Sequence, residues 1–276
     1  MAVRMADLVH GAVPELRIHP VGRRVRAESD GATVVDSTRA VLVWEPRRVV
    51  PSYAVPDGDV AGRLVPFEGT AGAERPVQMG KGAAPVLDPR TPFTVHSCPG
   101  RSLSIETSSA TLPGAAFAAD DPDLDGYVVL DWDAFTRWLE EDQPVMGHPH
   151  DPFDRIDCLR SSRHVRLSAG GVALADCRRP TLLFETPLPV RYYVPREDVA
   201  FELLEPSALR TVCAYKGRAR YWDALVGDKV LRAVAWSYEE PLNDALPVRD
   251  LVAFFTERLD LVLDGEPVER PVTPWS

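Results

Sequence analysis

The chain contains one eight-residue pattern twice. Residues 115–122 read Ala-Ala-Phe-Ala-Ala-Asp-Asp-Pro and residues 234–241 read Val-Ala-Trp-Ser-Tyr-Glu-Glu-Pro, so an aromatic residue, an acidic pair and a proline recur 119 positions apart. Upstream, residues 25–64 match residues 165–203 at offsets of 140 and then 139. Recurrence at a nearly fixed offset indicates one structural unit that occurs twice. We therefore predict a diverged N-terminal repeat over 1–145 with a Pro/Gly-rich insertion at about 66–92, a connector over 146–163 and a C-terminal repeat over 164–276.

Within each repeat, short apolar runs alternate with turn residues, which predicts strands and hairpins. Runs on both sides of Gly170-Gly171 predict one hairpin, and runs on both sides of Gly227 predict a second. Apolar residues at helical spacing predict one helix per repeat, at Asp131–Glu141 and Val248–Leu261. The expected fold class is therefore mainly β, with one helix per repeat.

Charge and cysteine content narrow the possible partners and the compartment. The net charge of -10 disfavours nucleic acid and anionic membranes as main partners. The four cysteines include no Cys-x-x-Cys pair, which disfavours a disulfide framework and a four-cysteine zinc site. No window approaches eighteen apolar residues, so we expect a soluble, cytoplasmic protein with reduced thiols. A small-molecule ligand is the expected partner, and homo-oligomerisation stays open.

The second repeat is richer in reactive side chains than the first. At the positions of Arg191, Arg196 and Lys216 the first repeat has no cation, although it keeps the apolar positions. This asymmetry favours a ligand site that only the second repeat has retained. The candidate catalytic residues are Cys213, Lys216, Glu239 and Glu185, and the candidate substrate-binding residues are Arg191, Tyr193, Arg196, Tyr215, Tyr221 and Trp222.

Each catalytic candidate also has a structural alternative. A cation such as Lys216 near Cys213 favours a reactive thiolate, whereas a lone cysteine can equally be a small buried hydrophobe. Lys216 is a candidate clamp for a carboxylate or phosphate, or a solvated lysine. Glu185 has a counterpart in Glu45, which favours a structural ion pair, with Arg179 or Arg191 as the partner. Glu239 offers acid–base chemistry or lies in an exposed acidic turn.

The aromatic residues and the connector leave further alternatives open. The tyrosines, with Trp222, either stack on a flat ligand or fill a β core. The connector reads His148-Pro-His150, with Asp154 close by, which is either a zinc or manganese site or a plain interdomain loop. We predict no cofactor from the motifs, with zinc and magnesium left open.

Several ordered motifs in the second repeat resemble the domain-of-unknown-function 427 family. The resemblance implies a small β structure of the Mss4-like or β-tent group. The family label also implies a transferase of the nucleotidyltransferase type, for which the residues supply no supporting mechanism. The cysteine pairs that bind zinc in related folds are missing, so the resemblance implies no structural zinc. The motifs are Asp176-x-x-Arg179, Arg191-Tyr192-Tyr193-x-Pro195-Arg196-Glu197-Asp198, Cys213-x-Tyr215-Lys216-Gly217, Tyr221-Trp222 and Trp236-Ser-Tyr-Glu-Glu-Pro.

The leading hypothesis is a small-molecule site in the C-terminal repeat for an anionic ligand such as a nucleotide or a carboxylate. The second hypothesis is a non-catalytic ligand sensor or protein-interaction module. The third is a metal-dependent enzyme that uses the connector histidines His148 and His150.

Overall fold

The computed structural model describes residues 2–5, 8, 11–69, 72–186 and 188–276. The chain forms two compact units. The N-terminal unit contains Met1–Val77 and Pro85–Asp151, and the C-terminal unit contains Gln78–Ala84 and Pro152–Ser276. Both units are built from antiparallel strands, so the prediction of a mainly β protein is confirmed. In the described ranges, no helix has the length and apolar character needed to cross a membrane.

The N-terminal unit consists of strands joined by turns and short 3₁₀ helices. Its 3₁₀ helices lie at Asp57–Asp59, Pro122–Leu124 and Trp132–Ala134. Its strands are β1 (Arg17–Pro20), β2 (Val25–Ser29), β3 (Ala32–Ser37), β4 (Val41–Trp44), β5 (Ser52–Pro56), β6 (Arg63–Pro66), β7 (Pro76–Val77), β8 (Val86–Leu87), β9 (Gly100–Glu106), β10 (Thr111–Ala119), β11 (Tyr127–Leu130), β12 (Arg137–Glu140) and β13 (Gln143–Val145).

Two sheets form the body of the N-terminal unit. Within the described residues, the larger sheet has the order β1-β4-β5-β11-β10-β9-β6 and the smaller has the order β13-β12-β2-β3. Strands β7 and β8 form a separate pair. The main core contains residues of both sheets, including Val25, Leu42 and Trp138. A second, smaller apolar cluster contains Val43 and Phe117, and it gives the larger sheet two buried faces.

The C-terminal unit is built in the same way. Its 3₁₀ helices lie at Arg196–Asp198, Phe201–Leu203 and Asn243–Val248. Its strands are β14 (Ile156–Arg160), β15 (Val165–Ala169), β16 (Val172–Cys177), β17 (Thr181–Glu185), β18 (Leu188–Tyr193), β19 (Leu204–Cys213), β20 (Gly217–Val226), β21 (Lys229–Ser237), β22 (Val252–Phe254), β23 (Asp260–Leu263) and β24 (Glu266–Val268).

These strands form the sheets β14-β17-β18, β19-β20-β21-β22 and β16-β15-β23-β24 in the described part of the unit. Two backbone hydrogen bonds between Val194 and Val252, with N···O distances of 2.8 and 2.9 Å, join the end of β18 to β22. The first two sheets therefore continue into each other in the order β14-β17-β18-β22-β21-β20-β19. Strand β14 begins at Ile156, so its residues pair with β17 although they lie in the predicted connector.

The two predicted hairpins are confirmed. Strands β15 and β16 pair around Gly170-Gly171, whose φ angles are +54° and +83°. Strands β20 and β21 pair around Gly227, whose φ angle is +57°. Positive φ costs glycine little, which is why the sequence signal was specific at these two turns.

The two predicted helices are wrong. Most of Asp131–Glu141 is a short 3₁₀ helix followed by β12, and Val248–Leu261 contains β22 and the start of β23. The error has a physical cause at β22, where Phe254 packs in the main core and its neighbour Phe255 packs on the opposite face of the sheet. A strand that is buried on both faces has apolar residues at consecutive positions, and a few of them then match helical spacing by chance.

Because the large sheet of the C-terminal unit has two buried faces, neighbouring residues of one strand belong to different clusters. In β20, Trp222 lies in the main core, whereas Tyr221 lies on the other face with Tyr193 and Trp236. We call that second face, with the buried residues Leu183, Tyr193, Ala219, Tyr221, Trp236, Tyr238, Ala245, Val248, Ala253 and Phe255, the outer face.

The assignment of Phe254 to the core of a sheet predicts a large effect on stability. We expect Phe254→Ala to lower the free energy of unfolding by about 3–5 kcal/mol, because the ring is 1 % exposed and its removal leaves a cavity. Leu209→Ala, at a side chain that is 44 % exposed, should change it by less than about 0.5 kcal/mol. Urea unfolding followed by circular dichroism measures both, and similar losses in the two variants would contradict this packing.

Candidate functional site

A buried lysine–glutamate pair lies at the end of β17. The ammonium Nζ of Lys216 donates to Oε2 of Glu185 at 2.5 Å. The two side chains are 10 % and 9 % exposed. Sequence reasoning treated Lys216 as an accessible clamp or a solvated lysine, and paired Glu185 with Arg179 or Arg191. The structure instead buries the lysine and makes it the partner of Glu185.

The local backbone explains how the lysine reaches this place. Residues 214–216 form the turn between β19 and β20, and Gly217 follows with a φ angle of +96°. A Cβ atom at Gly217 would lie 3.3 Å from the carbonyl oxygen of Glu240. The backbone N–H of Leu242 donates to the carbonyl of Lys216 at 3.2 Å. Glycine therefore allows the turn to pack closely against the Glu-Glu-Pro segment.

Cys213 completes the group around the lysine. Its thiol is half-buried and interacts electrostatically with the ammonium of Lys216. Burial, the largest influence, would lower the pKa of Lys216, but the neighbouring Cys213 and Glu185 raise it above its usual value. The lysine is therefore protonated at neutral pH, and its positive charge lies between a thiol and a carboxylate.

Three buried tyrosines, Tyr193, Tyr221 and Tyr238, lie on the outer face. The hydroxyl of Tyr193 accepts a hydrogen bond from Nε1 of Trp236 at 3.0 Å, and the hydroxyls of Tyr221 and Thr211 lie 2.9 Å apart. Burial raises the pKa of Tyr193, Tyr221 and Tyr238. These phenols are neutral at physiological pH, so they supply hydrogen bonds and apolar surface.

Arg191 is occupied by a second buried ion pair. Its guanidinium donates two hydrogen bonds to the carboxylate of Glu257, at 2.8 and 2.7 Å. The hydroxyl of Thr273 donates to the same carboxylate at 2.7 Å. Burial alone would raise the pKa of Glu257, but the bonds from Arg191 and Thr273 hold it below its usual value. This bidentate pair neutralises the guanidinium and occupies one N–H on each of its two terminal nitrogens.

The rings of three aromatic residues also enclose the guanidinium of Arg191. Its central carbon lies 5.5–5.6 Å from the ring centroids of Trp236, Phe255 and Trp275. Such contacts are typical of cation–π interactions. Arg191 is thus held by the Glu257 carboxylate and by three aromatic rings. These contacts favour a structural role, in which Arg191 fixes the position of Trp236.

Several other predicted site residues make side-chain contacts with residues outside the group around Lys216. The guanidinium carbon of Arg196 lies 4.1 Å from the ring centroid of Phe201 and 5.7 Å from that of Trp222, which is a main-core residue. Glu239 is exposed and accepts a hydrogen bond from Arg220 at 2.8 Å. Within the described part of the unit, the side-chain contacts of Trp222 and Glu239 therefore do not join them to Lys216.

Tyr215 is buried in the turn that carries Lys216. The guanidinium carbon of Arg155 lies 5.5 Å from the centroid of its ring. Arg155 in turn hydrogen-bonds to Asp244. Tyr215 thus belongs to the support of the turn.

Sequence reasoning did not select two residues that the structure places here. Tyr238 could have been found, because it lies in the repeated octet and its neighbour Trp236 was considered as a stacking residue. Glu257 had no usable signal, since the segment around it was interpreted as a helix and its partner Arg191 lies 66 positions earlier.

The N-terminal unit has a polar group at the matching strand end. Glu45 follows β4 as Glu185 ends β17, and its carboxylate contacts His96, Ser97 and Cys98. Nδ1 of His96 lies 2.9 Å from Oε1, and the backbone N–H of Ser97 donates to Oε2 at 2.7 Å. Sequence reasoning assumed that this repeat had lost its reactive groups. The structure instead gives it a buried carboxylate–histidine pair.

Asp131 and Arg48 interact electrostatically with the Glu45–His96 pair. Burial, as the largest cause, raises the pKa of Asp131 to about 6, and His96 and Arg48 oppose that shift. Burial raises the pKa of Cys98 to about 12, with Glu45 adding to the effect. Arg48 donates to the backbone carbonyls of residues 91, 92 and 95.

The connector histidines have protein partners. Nδ1 of His150 lies 3.1 Å from Oε2 of Glu140, and Oε1 of the same carboxylate accepts a hydrogen bond from the hydroxyl of Tyr53 at 2.6 Å. Nδ1 of His148 lies 2.7 Å from the backbone carbonyl of Pro149. Among the residues that the structure describes, no group of three or more His, Cys, Asp or Glu side chains is arranged to hold a metal ion.

Taken together, these features define a class of protein with antiparallel β units and a buried lysine–carboxylate pair beside a thiol. Residues 157–265 match the family described as Domain of unknown function (DUF427). This match confirms, for residues 157–265, the family resemblance that the motifs predicted. The matched segment contains Glu185, Cys213 and Lys216. No match to the chain was found among curated proteins.

The burial of the Lys216–Glu185 pair predicts a strong dependence of stability on both partners. We expect Lys216→Met to lower the free energy of unfolding by about 3–5 kcal/mol, because it leaves the Glu185 charge buried without a partner. The double variant Lys216→Met/Glu185→Gln should recover most of this loss, since no unpaired charge is left. Chemical denaturation of both variants measures the difference. If Lys216→Met were as stable as the wild type, the Glu185 carboxylate would have to be solvated.

The raised pKa of Asp131 predicts that the stability of the N-terminal unit depends on pH. Its folded carboxyl has a pKa near 6, above the usual value of 3.8, so the folded state binds this proton more tightly than the unfolded state. The ionised carboxylate therefore destabilises the fold increasingly as the pH rises from 4 to 6. Asn keeps an acceptor for the N–H of Asp133 but has no charge to bury.

We therefore expect Asp131→Asn to melt about 2–6 °C above the wild type at pH 7.5, and the gap to close near pH 4. Differential scanning calorimetry at both pH values tests this. A gap that is equal at pH 4 and pH 7.5 would mean that the charge of Asp131 is not its cause.

Proposed function

We propose that the chain is a tandem duplication of one DUF427-type unit. The ladders of the two units support this. Strand β2 pairs with β3 and β12, and β15 pairs with β16 and β23. The β2–β3 ladder shifts register between Ala27 and Glu28, and the β15–β16 ladder shifts between Leu167 and Ser168, which is the same offset of 140 that the sequence comparison gave. A shared irregularity of this kind favours common descent, since β-bulges are kept within families.

The match also changes one detail of the sequence comparison. Ala116 pairs with Leu130 in the first unit, and Ala235 pairs with Phe254 in the second. Leu130 is therefore the counterpart of Phe254 in the proposed duplication, whereas extending the octet offset of 119 along the sequence would pair Phe254 with Phe135. The β-tent or Mss4-like architecture is part of this proposal.

The function that the geometry supports best is a small-molecule site at Cys213 in the C-terminal unit. In this proposal Cys213 is the nucleophile, Lys216 stabilises its thiolate and Glu185 holds the lysine in place. The observation that carries the proposal is the position of the Lys216 ammonium, which hydrogen-bonds to the buried carboxylate of Glu185 and interacts electrostatically with the half-buried thiol. An ammonium beside a thiol favours the reactive thiolate.

The ion pairs of Arg191 and Lys216 limit the kinds of ligand that the site could bind. Arg191 is paired with Glu257, and Lys216 is paired with Glu185, so neither offers a free charge to a polyphosphate. We therefore propose a small molecule with an electrophilic carbonyl carbon in preference to a nucleotide triphosphate. Sγ of Cys213 would bond to that carbon while the leaving group departs with the bonding electrons and takes up the thiol proton. Transfer of the bound group to an acceptor would make the protein a transferase.

The proposal predicts that Cys213 reacts faster with iodoacetamide than the other cysteines. Burial raises the pKa of Cys98 and Cys177 to about 12 and also raises that of Cys158, so these three stay protonated at pH 7.5. We expect Cys213 to be alkylated about tenfold faster than Cys158, which is similarly half-buried. Peptide mass spectrometry at timed intervals measures all four rates in one sample.

The matched control is the double variant Lys216→Met/Glu185→Gln, which removes both charges but leaves the thiol in place. We expect its Cys213 to react at the rate of Cys158. If the wild-type rates of Cys213 and Cys158 are equal, or the double variant leaves Cys213 as fast as before, the proposed role of Lys216 is wrong. A fast Cys213 with no ligand in a thermal-shift screen of small carbonyl compounds would instead favour a thiol-based sensor.

A further inference from the structure

A second group of polar side chains lies at the end of β4 in the N-terminal unit. Glu45 and Glu185 lie at matching positions after β4 and in β17, and both are buried. Gly100 begins β9 and Gly217 begins β20, and when these two glycines are aligned, His96 takes the position of Cys213. The same carboxylate therefore faces a different reactive group, which is a histidine. This inference does not rest on the function proposed for Cys213.

The ring of His96 is held in a single orientation. Its Nδ1 lies 2.9 Å from the Glu45 carboxylate, so this nitrogen carries the proton and donates it in the hydrogen bond. The ring stacks on Phe117 with a centroid distance of 3.6 Å and an interplanar angle of 9°. Phe93 contacts it edge-on, with centroids 4.9 Å apart. A carboxylate and two rings thus fix both the tautomer and the plane.

The other nitrogen, Nε2, is the one available for chemistry. No described residue hydrogen-bonds to it, and it is not among the fully buried atoms without a partner. The side chain of His96 is 9 % exposed. An oriented imidazole whose second nitrogen has an accessible lone pair is the arrangement of a general base. A purely structural histidine would normally use this nitrogen in a hydrogen bond.

The charged groups around His96 favour this role. Glu45 has both oxygens bonded, by His96 on one side and by Ser97 and Cys98 on the other, and the pKa of its carboxyl is lowered despite its burial. A fixed negative charge behind the imidazole stabilises the imidazolium that forms when Nε2 takes a proton. Asp131 is a second acidic group that interacts electrostatically with His96. The guanidinium of Arg48 donates its hydrogen bonds to backbone carbonyls.

We propose that His96, positioned by Glu45, is the general base of a second site that hydrolyses small uncharged carboxylic esters. Nε2 takes a proton from water as the water oxygen bonds to the carbonyl carbon. The same proton then passes to the departing alkoxide, so ester and water give acid and alcohol. The flanking rings of Phe93 and Phe117 make the surroundings apolar, which suits an uncharged ester.

The probe for this proposal is p-nitrophenyl acetate, whose hydrolysis releases coloured p-nitrophenolate. The thiol of Cys213 would also react with this ester, so every measurement is made in the Cys213→Ser background. We expect catalytic release above the buffer rate, and at least a tenfold loss in His96→Gln. Glu45→Gln, which keeps an acceptor for Nδ1 but removes the charge, should lose less activity than His96→Gln.

The matched control is His150→Gln. His150 also pairs with a carboxylate through Nδ1, but it does so in the connector. We expect full activity in this variant. If His150→Gln loses as much activity as His96→Gln, or if His96→Gln keeps the parent rate, the proposal is overturned.

If His96→Gln does not fold, diethyl pyrocarbonate labelling of the folded Cys213→Ser protein decides the matter. Peptide mapping should find His96 carbethoxylated at Nε2, and added p-nitrophenyl acetate should slow that modification. A His96 that stays unmodified while His150 is labelled would overturn the proposal. Retention of ester hydrolysis in Cys213→Ser separates this outcome from the fate of the Cys213 proposal.

Discussion

A carboxylate buried at the end of a β strand is the constraint on which the polar side of each unit depends. Burying an unpaired charge costs several kcal/mol, so Glu185 requires a cation or several hydrogen-bond donors. Lys216 meets this need from the turn between β19 and β20, with Gly217 allowing the turn to approach. The position of the half-buried thiol of Cys213 follows from the same turn. The chemistry of the site is therefore a consequence of how one strand end is neutralised.

The large sheet of the C-terminal unit has two buried faces, and each face carries a different set of side chains. In β20, Trp222 packs in the main core and Tyr221 packs on the outer face. A side chain on the outer face can thus be replaced without changing the residues that hold the sheets together. This separation lets the tyrosines beside Lys216 be specific to the second unit while the cores of the two units stay alike. It also explains why Trp222 and Tyr221 cannot line one cavity, although they are adjacent in sequence.

The sequence was sufficient for the strands and hairpins but insufficient for the ion pairs. Glycine pairs at positive φ mark a turn locally, so the hairpin at Gly170-Gly171 could be found from a few residues. The segment around Phe254 was wrongly predicted as a helix, because a strand that is buried on both faces can show apolar residues at helical spacing. The pairing of Lys216 with Glu185 depends on β17 lying beside a turn 31 positions later, which no local signal encodes. The presence of Glu45 in the first repeat was the one hint that Glu185 has a structural partner.

The two units meet the same electrostatic requirement with different side chains. In the second unit the carboxylate is neutralised by a lysine, which is cationic at neutral pH. In the first unit it is met by a histidine, a backbone N–H and a thiol, none of which carries a permanent charge. A histidine can take up and release a proton where a lysine cannot, so the exchange of one partner for the other changes the available chemistry while leaving the strand end satisfied. If the two units arose by the proposed duplication, they diverged in the residues that bind the carboxylate, since both units retain the carboxylate itself.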